Sequence, residues 1–282
     1  LYFRNIQYPY LEDSIHIHKS ILEKTADSPY RYRLLVPYVC EYLTKLLGLF
    51  LPKEISFLSS YFLYSFSAIF LFLSSLYFWL RSWFQEYKAA IGVLIIASYI
   101  QLGLIDHAFQ PWSLIESFFY TLSFLLIKNK NYYCLFLVNL LALINRETGI
   151  FISLAFVFNS LYFSKNQNFL YSIKKSSFIN AISLFIFSVI TILFIRFLIG
   201  VPEYPIFVAE IFQKNMESIS LFKTFIYFLL ITPIFILNPF KGFLKSPSFI
   251  KKLSLFIPIY LIFMIIFGVW HEVRLIMPLS PL

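Results

Sequence analysis

The stretch LINRETGIFI, residues 143–152, places the charged pair Arg146 and Glu147 between two apolar runs. The runs cover residues 132–144 and 150–163, and one continuous helix over both would be ~48 Å long at 1.5 Å per residue. That length exceeds the ~30 Å of bilayer hydrocarbon and would bury the charged pair near its centre. The pattern therefore predicts two short helices joined by a turn at NRETG, with the turn lining a wet hollow below the membrane surface.

The composition of the chain excludes a soluble globular domain. Of its 282 residues, 60% are hydrophobic and only 13% are charged, too few to cover a domain of this size with polar surface. Uncharged runs near the roughly 20 residues that a crossing needs predict an all-α, polytopic integral membrane protein rather than an alternating β-barrel. The formal net charge of +9 lies mostly in short loops, so we expect no nucleic-acid partner.

Eight apolar runs are predicted to cross the membrane. The connections between them alternate in charge: one set carries 11 Lys or Arg against one acid, and the other carries six acids against three basic residues. The positive-inside rule predicts that the basic connections face the cytoplasm and the acidic ones face outward. The predicted spans are residues 55–80, 89–105, 112–127, 132–144, 150–163, 178–200, 221–237 and 253–268.

Residues 1–54 precede the first predicted span and are expected to lie outside the cytoplasm. Within them, residues 34–51 combine an apolar face with Glu41 and Lys45 at i, i+4, a pattern typical of a helix lying in the membrane interface. We therefore expect an external loop with an interfacial helix, followed by a transmembrane helical bundle at 55–282. The chain opens without methionine and stops inside an apolar run, so we expect further sequence at both ends.

Most of the ionic side chains that are unusual for apolar helices lie on the predicted outer face. Glu116 and Arg196 lie about one helical turn inside the outer ends of their spans, where a charge needs a partner or a water-filled cavity. We predict that ionic groups from distant parts of the chain share one outward-opening hollow floored by Arg146 and Glu147. The candidate site residues are Glu12, Asp13, Arg31, Arg33, Asp106, His107, Arg146, Glu147, His271, Glu272 and Arg274.

Carboxylates beside guanidinium groups at the ends of apolar helices fit a lipid-linked phosphate donor whose tail stays in the membrane. Arginine binds phosphate oxygens through two parallel hydrogen bonds and so orients the head group. A carboxylate can then deprotonate an acceptor hydroxyl, with the phosphate as the leaving group. The pattern favours group transfer from a lipid phosphate at the outer membrane surface.

Three stretches resemble the GT-C superfamily of polytopic membrane glycosyltransferases. They are an acidic pair followed by YRYRLLVPYVCEYLTKLLG at residues 30–48, the NRETG turn at 145–149, and HEVRLIMPL at 271–279. The last two are similar to a bacterial branch related to mannosyltransferase-like membrane proteins. The similarity covers most of the chain.

The resemblance implies a GT-C-like bundle that transfers sugar, with inversion, from a polyprenyl-phosphate donor to a glycan, lipid or protein acceptor. The site would face the periplasm or exterior of a bacterial cytoplasmic membrane. The family's catalytic acid maps onto Asp13, with Glu12 as the alternative and Asp106 as an alternative second acid; phosphate binding maps onto Arg146 or Arg274. The family often needs no nucleotide or metal, so we expect no cofactor, with a divalent cation as the alternative.

Simpler interpretations of the same residues stay open. A salt bridge that caps two helices would also explain the charged pair of the NRETG turn. His16 and His18 are expected at the surface, since two histidines bind a metal only with further ligands. Arg31 and Arg33 could equally serve to anchor the interfacial helix. Glu116 and Arg196 could equally be partners within the bundle rather than catalytic residues.

Rival functions share the membrane setting. A transporter or flippase would also place charges within the membrane, but the sequence lacks the inverted repeats and broken helices typical of one. An oligosaccharide polymerase or ligase would use the same donor type on the same face, and a long external loop late in the chain would favour it. The longest late loop here is residues 201–220, so we favour a glycosyltransferase.

Overall fold

A computed structural model describes residues 11–105, 111–161, 175–200, 213, 245–267 and 277–281. As predicted, the regular elements in these residues are all helical. The α-helices are α1 (Leu11–Leu22), α2 (Leu35–Leu47), α3 (Lys53–Arg81), α4 (Glu86–Ile105), α5 (Trp112–Lys128), α6 (Tyr132–Asn145), α7 (Ile150–Ser160), α8 (Lys175–Ile199), α9 (Ser248–Leu253) and α10 (Ile257–Phe267). Short 3-10 turns lie at Tyr30–Tyr32, Glu147–Gly149, Ser254–Phe256 and Met277–Leu279.

Helices occupy seven of the eight predicted spans, and the remaining one, 221–237, lies outside the described residues. The last predicted span, 253–268, is not one continuous α-helix, because a 3-10 turn separates α9 from α10. Helices α6 and α7 are short, with 14 and 11 residues, as their apolar runs predict. The described helices thus follow one another in the predicted order, and their lengths differ widely from one helix to the next.

Two of the described helices are long and apolar enough to cross a membrane, Lys53–Arg81 and Ser177–Ile199. Only 39% and 22% of the residues in their most apolar windows are buried. Large side chains such as Phe66 on the first and Phe197 on the second are therefore exposed. An extended apolar surface of this kind marks contact with lipid or with another protein, since water-facing helices rarely carry one.

The core lies between α3 and α5, which pack against each other. The ring centroid of buried Trp79 on α3 lies 6.0 Å from that of Phe124 on α5. The indole N–H of Trp79 also donates to the carbonyl of Pro281 at 2.6 Å. This bond ties the last described segment to the central helix.

At one end of the bundle, helix ends with the same predicted orientation lie together. Lys128, at the end of α5, donates to the carbonyl of Ser82, just after α3, at 3.0 Å. The hydroxyls of Tyr132 on α6 and Ser177 on α8 lie 3.4 Å apart. Ser82, Lys128 and Ser177 belong to connections that are predicted to be cytoplasmic, and Tyr132 begins a predicted span at the same end.

Helix α2 buries one side and exposes an apolar face on the other. Its buried residues Val36, Pro37 and Cys40 lie on the side that packs against α3. Glu41 and Lys45 form the predicted i, i+4 ion pair at 3.2 Å. The large side chains left exposed are Tyr38, Val39, Tyr42 and Leu46 on α2, and Leu49 and Phe50 in the turn just after it. An interfacial helix presents this combination of a charged pair and an uncovered apolar face.

Candidate functional site

Four segments meet at the predicted outer end of the helices: the Tyr30–Tyr32 turn, the start of α5, the α6–α7 turn and the end of α8. Asn145 Nδ2 at the end of α6 donates to the carbonyl of Trp112 at 3.1 Å. The Tyr32 hydroxyl donates to the carbonyl of Gly200, after α8, at 3.2 Å. We call the side chains gathered here the outer cluster: the ionic and aromatic residues Tyr30, Tyr32, Arg33, Trp112, Glu116, Arg146, Glu147 and Arg196, together with the hydroxyl of Thr148.

A buried ion pair forms the centre of the outer cluster. Arg146 Nη1 lies 2.9 Å from Glu116 Oε2, and the two residues are 9% and 1% exposed. The Thr148 hydroxyl donates to the other carboxylate oxygen of Glu116, and the Tyr120 hydroxyl donates to the Thr148 carbonyl at 2.6 Å. Both carboxylate oxygens therefore have a donor, as a buried charge requires.

The spacing of α5 explains why Glu116 reaches this position. Trp112, Glu116, Tyr120 and Phe124 recur every fourth residue, so they lie along one side of the helix. All four are buried. Glu116 is the single acid in this buried row of aromatic rings, and its partner comes from the α6–α7 turn.

The predicted break at NRETG is confirmed, but its two charges do not act together. Arg146 pairs inward with Glu116, whereas Glu147 Oε1 lies 3.8 Å from Arg196 Nη2. The backbone explains the separation, because Arg146 is extended (φ −165°, ψ 142°) and Glu147 already belongs to the 3-10 turn. A salt bridge between neighbouring side chains at the turn was therefore the wrong pairing. A protein carboxylate, rather than water in a hollow, neutralises Arg146.

Aromatic rings hold a second arginine of the outer cluster. Arg33 is 5% exposed, and its guanidinium carbon lies 4.8 Å from the ring centroids of both Tyr30 and Trp112. A desolvated cation over aromatic faces gains on the order of 2 kcal/mol. Since Arg33 lies two residues before α2 and Trp112 begins α5, this contact also fixes the position of α2 against α5.

The third arginine, Arg196, lies at the rim of the outer cluster. Its side chain is 54% exposed, and its guanidinium carbon lies 5.5 Å from the Tyr32 ring centroid. Arg33, Arg146 and Arg196 therefore lie near the acids Glu116 and Glu147 in the described part of the outer cluster. Guanidinium groups bind phosphate oxygens through charge-assisted hydrogen bonds.

The remaining candidate residues fall into two groups. Glu12 and Asp13 are exposed in the first turn of α1, and Arg31 is half-buried in the Tyr30–Tyr32 turn. The other candidates lie outside the described residues: Asp106, His107, His271, Glu272 and Arg274. The structure therefore brings Arg33, Arg146 and Glu147 into one cluster and leaves the two α1 acids open to solvent.

His18 is buried at 3% exposure, so its predicted surface position was wrong, whereas His16 is exposed as predicted. Nδ1 of the His18 ring lies 2.8 Å from the Tyr61 hydroxyl, and Nε2 lies 3.1 Å from Glu41 Oε2. The physical reason is the helical spacing of Ser14, His18 and Ile21, which form the buried side of α1. That i, i+4, i+7 pattern was the available signal in the sequence.

Comparisons with protein-family models, curated proteins and solved structures gave no match. Within the part of the chain that the structure describes, no three His, Cys, Asp or Glu side chains group in a way that could hold a metal ion.

Gly149 in the NRETG turn is expected to tolerate no side chain. A Cβ at this position would lie 2.9 Å from the backbone carbon of Ala142 and the backbone nitrogen of Leu143 on α6. Since backbone atoms cannot move aside as a side-chain end can, Gly149→Ala should cost about 1–3 kcal/mol of unfolding free energy. Denaturation in lipid bicelles would measure the loss.

Gly92→Ala is the matched control, because there the nearest atom to the added Cβ is the mobile end of Leu80. We expect the control to change stability less than Gly149→Ala does. Equal losses for the two variants would contradict the close approach of the turn to α6.

Proposed function

We propose that this chain is a polytopic integral membrane glycosyltransferase that takes sugar from a polyprenyl-phosphate donor on the outer face of a bacterial membrane. The observation that carries the proposal is the outer cluster. Three arginines from distant parts of the sequence gather at the same end of apolar helices, with aromatic rings around two of them. This set of groups fits an anionic head group whose lipid tail stays beside the bundle.

The surface next to the outer cluster supports a lipid-linked substrate. Helix α2 begins two residues after Arg33 and exposes Tyr42, and the turn just after the helix exposes Phe50. Helix α8, which ends at the cluster, exposes Phe194 and Phe197 one turn or less from Arg196. A phosphate near these arginines would therefore have apolar surface beside it for the polyprenyl chain.

The reaction that we propose needs one base and one anion site. The carboxylate of Asp13, or of Glu12 beside it, would take the proton of the acceptor hydroxyl as its oxygen bonds to the sugar's anomeric carbon. The bond from that carbon to the phosphate oxygen breaks, and the leaving polyprenyl phosphate keeps the electron pair. Guanidinium groups stabilise the charge that develops on the phosphate. Attack from the side opposite to the phosphate inverts the anomeric centre.

The arginines are expected to differ in role. Arg146 pairs with Glu116, so its charge supports the turn, and Arg33 is buried between Tyr30 and Trp112. The half-exposed Arg196 is therefore better placed to meet a ligand. Replacing Arg146 would therefore confound donor binding with loss of structure. Arg196→Gln is the cleaner variant, because half-exposed ion pairs contribute little to stability.

The experiment is a donor screen with the purified protein in sealed vesicles. A series of polyprenyl-phosphate sugars, each radiolabelled in the sugar, is incubated with the vesicles and a crude acceptor fraction. We expect one donor to be consumed with release of polyprenyl phosphate, and Arg196→Gln to raise the KM for that donor more than it lowers kcat. Movement of intact lipid-linked sugar across the vesicle membrane, with no donor cleaved, would replace the proposal with a flippase.

A further inference from the structure

Helix α1 carries both acids proposed for catalysis, so its position decides where they act. Its 12 residues are too few for a stable isolated helix in water, where about 12–15 residues are marginal even for favourable sequences. Contacts with α2 and with the Tyr30–Tyr32 turn therefore hold it in place. The buried side faces these elements, and Glu12 and Asp13 lie on the exposed side.

His18 is the polar contact at the centre of this buried side. Its ring lies edge-on to two rings of α3, with centroids 5.3 Å from Phe57 and 5.8 Å from Tyr61. Nε2 lies 3.1 Å from the Glu41 carboxylate of α2, and Nδ1 lies 2.8 Å from the Tyr61 hydroxyl of α3. One side chain of α1 thus binds both neighbouring helices.

The partners of His18 define one protonation state. A carboxylate only accepts hydrogen bonds, so Nε2–H must donate to Glu41. Nδ1 can then accept the Tyr61 hydroxyl proton, and the neutral imidazole satisfies both contacts. A second proton on Nδ1 would break its hydrogen bond with the Tyr61 hydroxyl and place a charge beside the rings of Phe57 and Tyr61.

We propose that the Glu41–His18–Tyr61 chain is a pH-sensitive latch that docks α1 and thereby positions the Glu12–Asp13 acids for the transfer reaction. His18 is a positioning residue in this scheme, because it acts through the helix that carries the acids. The positioning role rests on the proposed function, whereas the docking itself does not.

The charged and titratable groups around the latch shift the pKa values of His18 and Glu41. Burial lowers the pKa of His18, with Lys19 on its own helix acting in the same sense, against the raising effects of the hydrogen bond and charge of Glu41. The hydrogen bond from His18 lowers the pKa of Glu41 against burial, and Lys45 lowers it further. Cys40 lies beside Tyr61, and burial raises the pKa of its thiol, so Cys40 stays neutral in this range.

The sign of the pH effect follows from these shifts. Undocked His18 takes up a proton near its ordinary pKa of about 6.5, whereas docked His18 does so only at lower pH. Docking is therefore fully stable above pH of about 6.5 and weakens as the pH falls below it. Glu41 remains a carboxylate through this window because its pKa is lowered from an already acidic value.

Hydrogen exchange of the α1 amides tests the latch on the full chain in lipid nanodiscs, without any substrate. After correction for the intrinsic rate, protection of residues 14–21 should fall between pH 7.5 and 5.5, by at most about tenfold per pH unit for one proton. In His18→Gln the protection should be lower at pH 7.5 and should no longer depend on pH in this range. The matched control is His16→Gln, which changes an exposed histidine on the same helix and should behave as wild type.

Two further variants test the two hydrogen-bond partners of His18 separately. Tyr61→Phe removes one hydroxyl and keeps the ring, so it should reduce α1 protection without unfolding the bundle, and Glu41→Gln should do so from the other side. If wild type transfers sugar, both variants should lower kcat while leaving the KM for the donor unchanged. A pH dependence of α1 protection that persists in His18→Gln would overturn the latch. Protection that follows the latch in a protein that cleaves no donor would overturn the proposed function alone.

Discussion

Replacing Glu116 with glutamine should lower the free energy of unfolding by about 3–5 kcal/mol, because it leaves the Arg146 guanidinium buried without its carboxylate. The two residues are 1% and 9% exposed, so water cannot take over the lost interaction without opening the α6–α7 turn. Equilibrium unfolding in lipid bicelles, for example by steric trapping, would measure the loss.

Two controls identify the cause of that loss. Glu86→Gln removes the acid of an exposed ion pair with Arg81 and should change stability little. The double variant Glu116→Met with Arg146→Met removes both buried charges and should recover most of the stability, since apolar replacement of a buried pair is often neutral. A double variant no more stable than Glu116→Gln would contradict the ion-pair explanation.

The second large effect is expected at Asp13. If its carboxylate is the general base, Asp13→Asn should reduce kcat for sugar transfer by about 10²- to 10⁴-fold. The side chain is exposed, so membrane insertion and the docking of α1 should remain as in wild type. The donor-consumption assay measures the first expectation, and exchange protection of α1 measures the second.

Glu12→Gln decides between the two neighbouring acids. The control for a general change in charge is Glu23→Gln, because Glu23 is an exposed acid just after α1. We expect Glu23→Gln to retain full activity and Glu12→Gln to lose much less than Asp13→Asn. Wild-type turnover in Asp13→Asn together with loss in Glu12→Gln would move the base by one residue. Full turnover in both would remove the α1 acids from the mechanism.

Local patterns in the sequence predicted the features that depend on near neighbours. The length of the two apolar runs around NRETG required a break, and the structure has one between α6 and α7. The spacing of Glu41 and Lys45 predicted their ion pair, and the apolar positions of residues 34–51 predicted the exposed face of α2. Helical periodicity and i, i+4 spacing act over one or two turns, so one sequence is enough to read them.

Features that depend on the meeting of distant segments were not predictable from the same patterns. The sequence indicated that Glu116 needs a partner or a water-filled cavity, but it placed Arg146 on the floor of that cavity, with a salt bridge to Glu147 as the simpler alternative. The correct partner is 30 residues away, and its choice depends on how α5 packs against the turn. The same holds for Arg33 between Tyr30 and Trp112, and for His18, whose partners come from two other helices.

The central claim is that the α1 acids and the arginines of the outer cluster share one side of the membrane, opposite to the basic loops. Single cysteines at Asp13, Arg196 and Lys130, in a background without Cys40 and Cys134, test it directly by labelling with a membrane-impermeant maleimide in sealed right-side-out vesicles. We expect positions 13 and 196 to be labelled in intact vesicles and position 130 to be labelled only after permeabilisation. Labelling of positions 13 and 196 from opposite sides would contradict it.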